Sequence, residues 1–462
     1  MANSTKTPPA NSAKGPDQGP DRGPDQGPDQ GVARRIVKNA GALLGGKATG
    51  GVLSLFYLAI AARSLGAEGM GHLVLASAYA VTAAGVVRFQ SWQAVIRFGA
   101  PMAAAGDDAA LGRLLRFTVT LDLASAVFGV ALSLAFVEAA FRLFAWPDAA
   151  KPLIYAYCFA VPFLIAATPT GVLRLFDRFK ALSWQLAVMP LTRLVGALIV
   201  WALDGGLTGF LIVWIVSAVA DGATLWWLGW REVSARGLVA PALRASRRPA
   251  PGWLGFTVKT NFASTFDLAR QNVPVLIVGA VLGAAASSFV QIATNLTNLI
   301  AHPVNMLSHA TYPELSRVAA QSGAAGMRAV AARSLAVGLG AAAPIVVIYC
   351  LFGGPIVTAF AGPQFAAAAP VVALMAVAQL FRTVWIVAEA AVLALGHAGL
   401  TLAAQGVSAV AQVALLFVLM PVWGAIAAPA ALIAGFAMMI AAYGARLFAA
   451  PACDKQKVVA HE

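Results

Sequence analysis

Phe256-Thr-Val-Lys259-Thr260-Asn261-Phe-Ala-Ser264-Thr265-Phe-Asp267-Leu-Ala-Arg270-Gln271-Asn272-Val-Pro274 leads straight into Val275 to Leu282, a run without one polar side chain. Extended as far as Arg317, this stretch reads as two long apolar helices carrying charges and amides that a lipid bilayer rejects. Each Asp, Lys or Arg at mid-bilayer costs about 2.5–3.5 kcal/mol on insertion scales, so such groups face a protein interior or a wet cavity. The stretch therefore predicts a polar hollow inside a membrane protein.

The rest of the chain agrees. Of 462 residues, 60% are hydrophobic and only 11% charged, and the mean hydropathy is +0.78. That is too apolar for a water-soluble globule and too long for one span, so the expected class is an all-α polytopic membrane protein. Cys158, Cys350 and Cys453 are far apart and form no Cys-x-x-Cys or Cys/His group, which argues against a disulfide framework or a zinc site. The net charge of +13 would suggest a nucleic-acid partner in a soluble protein. Here most of the charge flanks apolar runs and marks membrane orientation instead, so no nucleic acid is expected.

From Ile36 onward, twelve runs approach the roughly 20 residues that a bilayer crossing requires. They centre near Leu53, Val81, Val127, Phe163, Leu194, Val216, Val275, Leu299, Gly340, Met375, Val410 and Ala434. Pro162, Pro169, Pro190, Pro274, Pro303, Pro344 and Pro370 lie in or at the ends of these runs and predict kinks or breaks. Ahead of them, Gly15-Pro-Asp-Gln, Gly19-Pro-Asp-Arg, Gly23-Pro-Asp-Gln and Gly27-Pro-Asp-Gln repeat in tandem. Such a tract buries no core and reads as a disordered tail, with no secretory signal pattern.

Alternate connections differ sharply in charge. One set carries Arg97, Arg113 and Arg116, then Arg174, Arg178 and Lys180, then Arg231 through Lys259, then Arg317, Arg328 and Arg333; the other holds only Arg63, Arg142 and Lys151. The asymmetry places both termini in the cytoplasm. The longest basic connection divides the chain into a 1–35 tail, a 36–230 six-helix lobe, a 231–255 basic linker, a 256–447 six-helix lobe and a 448–462 tail. Trp226, Trp227, Trp230 and Trp253 bracket that linker and read as interface anchors. Leu65-Gly-Ala-Glu-Gly-Met-Gly-His-Leu-Val-Leu-Ala-Ser77 is weakly echoed by Leu282-Gly-Ala-Ala-Ala-Ser-Ser-Phe-Val-Gln-Ile-Ala-Thr294. Six spans per half make such repeats parallel, with a central cavity expected between the two lobes.

Nine ionisable residues fall inside the spans: Lys47, Arg88, Asp122, Arg193, Asp221, Asp267, Arg270, Arg382 and Glu389. Lys47, Arg88 and Arg193 have no carboxylate three or four residues away. They either pair across helices with Asp122 and Asp221 or line a cationic cavity for an anionic ligand, while Arg88 also has the option of reaching toward water. Asp267 and Arg270 are placed for a local pair, and Arg382 and Glu389 share a helix face two turns apart. The carboxylates Asp122, Asp221, Asp267 and Glu389 are candidates for coupling to H+ or Na+, or members of static ion pairs.

Gly41-Ala-Leu-Leu-Gly45-Gly46-Lys47-Ala48 nearly spells a phosphate-binding loop, but Ala48 stands where a Ser or Thr belongs and no strand precedes it. Close helix packing at Gly41/Gly45 and Gly46/Gly50 is the better reading. His302 and His309 share a face but have no metal-ligand partner nearby.

Two motifs add a resemblance. Arg63-Ser-Leu65-Gly66-Ala-Glu68-Gly69-Met-Gly71 resembles the Arg-x-Leu-Gly-x-Glu-x-Gly turn of the oligosaccharide flippases of bacterial surface-polysaccharide synthesis. Tyr312-Pro313-Glu314-Leu315 resembles their Phe/Tyr-Pro-Glu-Leu signature. With the six-plus-six layout the resemblance covers about Ile36 to Phe448. The Gly-Pro-Asp tail lies outside that pattern, and Ser288-Phe289 stands where Gly-Tyr is expected.

This family sits within the multidrug, oligosaccharidyl-lipid and polysaccharide exporter superfamily. The resemblance implies a bacterial inner-membrane bundle that flips an undecaprenyl-pyrophosphate-linked oligosaccharide, an O-antigen or exopolysaccharide repeat unit, between leaflets by alternating access. It implies no enzyme activity and no cofactor; a polymerase or export machinery is a possible partner. Lys47, Arg88, Arg193, Lys259, Arg270 and Arg382 suit the pyrophosphate, and Asn261, Asn272, Gln291 and Asn295 suit sugar hydroxyls. A cation-coupled multidrug antiporter would favour unpaired carboxylates over these cations. A membrane polymerase or ligase would need catalytic groups in outer connections, where only Glu138 to Lys151 offers any.

Overall fold

The computed structural model describes residues 28–144, 146, 148–246, 250–395 and 397–449. Side chains are described from 41 to 446, apart from 42, 44, 143–145, 147, 247–249, 259, 262–271, 299–328, 394, 396 and 398. Among the described residues every regular element is helical. In chain order they are α1 (Pro28–Val87), α2 (Ser91–Ala104), α3 (Asp108–Phe144), α4 (Lys151–Cys158), α5 (Ala167–Leu175), α6 (Phe179–Gln185) and α7 (Val188–Ala202). Then come α8 (Gly206–Ala235), α9 (Val239–Arg244), α10 (Trp253–Leu282), α11 (Ala284–Ala361), α12 (Ala369–Ala394), α13 (Ala398–Trp423) and α14 (Ala427–Ala449). All twelve run centres expected from the sequence fall inside helical segments.

Seven described segments are long and apolar enough to cross a membrane, or eight if the bent pair Asp148–Cys158 and Val161–Leu175 counts as one. Two of the seven, Gly45–Ala104 and Gly399–Arg446, have the length of two crossings. The bend of 63° in the pair falls where Pro162 interrupts the helix and Ile165 is extended, since proline removes a backbone donor. Pro274 is carried within α10, and Pro370 sits in the first turn of α12, where a missing N–H costs nothing.

The first long element breaks at Gly66, whose φ of 69° and ψ of −179° are not helical. Gly283, between α10 and α11, has φ 89° and ψ 171°. These are corresponding positions of the weak repeat, and both need a residue without a Cβ to turn the chain in the left-handed half of φ/ψ space. The repeat is thus visible in the backbone as well as in the letters.

Helix α11 runs for 78 residues, which laid straight would extend about 117 Å. Yet the Tyr349 hydroxyl donates to the Leu296 carbonyl at 2.9 Å, so the chain doubles back between them. The element therefore folds back on itself, and within it Ala329–Ala361, at the crossing expected near Gly340, is long and apolar enough to span a membrane.

One buried cluster runs through the whole bundle, taking in Leu58, Ala61, Met70, Leu73, Leu75, Ile154, Tyr157 and Phe210 from the first half. From the second it takes Val278, Ile292, Phe365, Val372 and Tyr443. Glycines bring backbones together within it: a Cβ on Gly71 would collide with the Ala284 carbonyl, and one on Gly222 with that of Phe163. Facing outward are Val127, Leu203, Val410, Val418 and Val422, each more than two-thirds exposed, as lipid-facing side chains are. Many hydroxyls satisfy themselves on the carbonyl one turn back, as Thr82 on Ala78 and Thr224 on Ala220 do.

Two expectations need adjusting. Trp227 and Trp230 are exposed, but Trp253 is buried, packed against Phe98 and Phe117, so it is a core residue and not an interface anchor. Residues 28–35, assigned by composition to the tail, belong to α1; residues 1–27 lie outside the described residues.

Candidate functional site

Gly46 and Gly50 on α1 face the short α6 and the turn that links it to α7. A Cβ on Gly46 would run into the Ser183 carbonyl, and one on Gly50 would stand 3.0 Å from that of Leu186. Nothing lies within 4 Å of such an atom on Gly41 or Gly45, so the expected close packing holds for the second pair alone. That approach leaves a cavity of about 240 Å³ alongside, lined by Lys47, Gly50, Gly51, Ser54 and Leu55 of α1, Leu186 and Pro190 beside and on α7, and Asn295 and Asn298 of α11. The wall therefore draws on both halves of the sequence. Lys47 is exposed and supplies its charge. Gln291 precedes Asn295 by one turn on the same face of α11.

The other intramembrane charges are held elsewhere. Arg193 lies one turn past Pro190 on α7. Its Nε donates to Ser217 Oγ and its Nη1 to the Tyr57 hydroxyl, both at 3.0 Å. The guanidinium also stacks 4.4 Å from the Trp214 ring centre and 5.4 Å from that of Tyr57. Asp221 is within electrostatic reach of Arg193 and accepts from Gln185 Nε2 at 2.6 Å.

Asp122, buried to 1% exposure, accepts from Ser91 Oγ and from the Thr168 backbone N–H, each at 2.7 Å. It thus ties the first turn of α2 to that of α5, taking up a helix-terminal N–H that has no partner within its own helix. Half-buried Arg88, in the break between α1 and α2, is its electrostatic neighbour.

In the second half, Glu389 on α12 accepts from Gln405 Nε2 of α13 at 2.6 Å. Arg382 lies half-buried two turns earlier on α12, and Asn261 and Asn272 are half-buried on α10. The side chains of Lys259, Asp267 and Arg270, like those of His302, His309 and Tyr312 to Arg317, lie outside the described residues. No group of three or more metal-ligating side chains occurs among the described residues.

The structure thus brings together Lys47 and Asn295, with Gln291 on the adjoining turn, and sets Arg88 and Arg193 in separate polar clusters. Sequence reasoning missed Tyr57, Ser217 and Trp214 around Arg193, and Ser91 and the Thr168 amide around Asp122. These partners come from other helices, and no spacing within one helix announces them.

Comparison with known proteins gives this geometry a setting. The chain is 28% identical over 335 residues to the inner membrane protein YghQ of Escherichia coli (strain K12), covering 72% of this chain and 94% of the relative. An inward-facing multidrug resistance MATE family transporter of the MOP superfamily superposes with a TM-score of 0.71 at 16% identity, over 87% of this chain and 94% of the other. The lipid II flippase MurJ in an inward closed conformation gives 0.67 at 12% identity, over 88% and 87%. These two establish the shared fold. A family model described as "Polysaccharide biosynthesis protein" matches residues 117–370, more than half of the chain, and this membrane protein therefore belongs to the polysaccharide biosynthesis protein family.

Proposed function

We propose that the protein moves an undecaprenyl-pyrophosphate-linked oligosaccharide from the cytoplasmic to the periplasmic leaflet of a bacterial inner membrane. The observation that carries this reading is the cavity in which Lys47 from one half faces Asn295 and Asn298 from the other. A pyrophosphate needs a cation and strong donors once it leaves water, and sugar hydroxyls need amides. At about 240 Å³ the space is smaller than the ~300–1,000 Å³ that holds a drug-sized ligand. It suits a contact point for the head group and first sugar, with the lipid tail left in the bilayer.

Two lobes, 36–230 and 256–447, rocking about such a point expose it alternately to each side, and the termini remain cytoplasmic throughout. Lys47 engages the pyrophosphate and Gln291, Asn295 and Asn298 the sugar, while Arg193 stiffens the wall behind them. Asp122, Asp221 and Glu389 are the candidates for coupling to H+ or Na+.

The test is a deletion strain assayed for the leaflet in which lipid-linked repeat units accumulate. Build-up in the cytoplasmic leaflet, reversed by the intact gene and not by the Lys47→Ala variant, supports the reading. Build-up in the periplasmic leaflet points instead to a polymerase or ligase, and rescue of organic-cation export alone to a drug antiporter.

A further inference from the structure

Arg63 ends the first limb of α1, 16 residues beyond Lys47 and so about 24 Å along the helix. Its side chain crosses to the other half of the sequence. Nε donates to the Phe360 carbonyl at 3.3 Å, and Nη2 donates to the Ala359 carbonyl. Both carbonyls belong to the last turn of α11, where backbone acceptors have no partner within the helix and the dipole favours a cation.

The contact is returned. Gln364, two residues past the left-handed Gly362 (φ 103°) that ends α11, donates from Nε2 to the Ala62 carbonyl at 3.2 Å. Each half thus satisfies carbonyls of the other. Neighbouring contacts repeat the pattern at this end of the bundle. Gly71 abuts the Ala284 backbone, Leu75 fills the space over Gly279, and Trp146 Nε1 donates to the Leu276 carbonyl at 3.3 Å.

We infer that Arg63 and Gln364 form a reciprocal latch that holds the two halves together at the end remote from Lys47, so that its release is the step that opens that end. The inference rests on the alternating-access reading above and assigns regulation within it. Arg63 is thereby a positioning residue and not a contact for cargo. The two faces of the latch are unlike: the Arg63 bonds are charge-assisted, while the Gln364 bond is neutral and weaker.

The test needs no cargo. In the full-length chain with Cys350 and Cys453 replaced by Ser, Ala284→Cys puts a thiol at a buried position beside Gly71 (Ala284 is 4% exposed). The rate of its labelling by a membrane-impermeant maleimide is followed in right-side-out vesicles. Arg63→Ala and Gln364→Leu should each raise that rate, by about tenfold for the arginine, with Arg63→Lys falling between parent and alanine. Cys158, fully buried, should stay unlabelled in all of them. Unchanged rates in both variants, or labelling that rises only together with that of Cys158, overturn the latch. Failure of the flippase reading shows separately, in the leaflet assay.

Discussion

At the scale of the residue, the intramembrane cations divide by what satisfies them. Arg193 is enclosed by two tyrosines, Tyr57 and Tyr157, a serine and an indole face, so removing it leaves buried partners unpaired. Hydrogen bonds to a charged group contribute about 1.5–3 kcal/mol each. Arg193→Ala should therefore lower the melting temperature in detergent by several degrees, and Arg193→Lys by less. Lys47 has no such enclosure. Lys47→Ala should leave the melting temperature within a degree or so of the parent's, yet reduce polymer export by about tenfold or more, with Lys47→Arg retaining much of it. A thermal melt beside an export assay separates the two roles.

The sequence exposed that these side chains were out of place in lipid, because a charge in an apolar run is conspicuous in one dimension. It did not reveal which of them share a space. Tyr57 and Ser217 are 160 residues apart and both hold Arg193, and nothing in the neighbourhood of either foretells it. For Asp122 the hidden partner is a backbone N–H, which no letter of the sequence represents.

At the scale of the element, breaks matter more than helices. Gly66 and Gly283 both turn with positive φ, where an alanine costs about 1–2 kcal/mol. Gly66→Ala and Gly283→Ala should each lower the melting temperature, and by similar amounts, since the two turns have nearly the same backbone angles. Gly71→Val acts through space instead: its side chain has no room against the Ala284 backbone and should cost more than either alanine. Spectroscopic melts of the three variants rank these effects.

The turn at Leu65 was legible because its small residues recur at Leu282, and the reversal inside α11 was legible as a basic connection with Arg317, Arg328 and Arg333 between two apolar runs. Apolar run length marks where a segment is long enough to cross, and the crossing expected near Gly340 corresponds to Ala329–Ala361. The hydrogen bond from the Tyr349 hydroxyl to the Leu296 carbonyl agrees with that reversal. Pro162 announced the bend between α4 and α5 through its own chemistry.

At the scale of the whole molecule, the charge asymmetry predicts that a fluorescent protein fused after Glu462 folds and fluoresces, while a periplasmic reporter enzyme there stays inactive. The opposite pair of results would invert the bundle and place Lys47 on the outside. Composition conveyed the all-helical membrane architecture well, because bilayer thickness dictates helix length, while the described residues show seven or eight membrane-length segments, two of them of double length, against the twelve spans expected. A shared chamber for the stranded charges was expected, whereas the cavity beside α1, α7 and α11 takes Lys47 alone among them, and its position came from close helix packing at Gly46 and Gly50.

The matched glycine turns also speak of ancestry. Two segments 217 residues apart that turn alike at Gly66 and Gly283 are what a doubled gene leaves behind. If so, cutting the present chain in the connection after α9 and co-producing the fragments should restore a functional pair, whereas neither fragment alone should survive in the membrane.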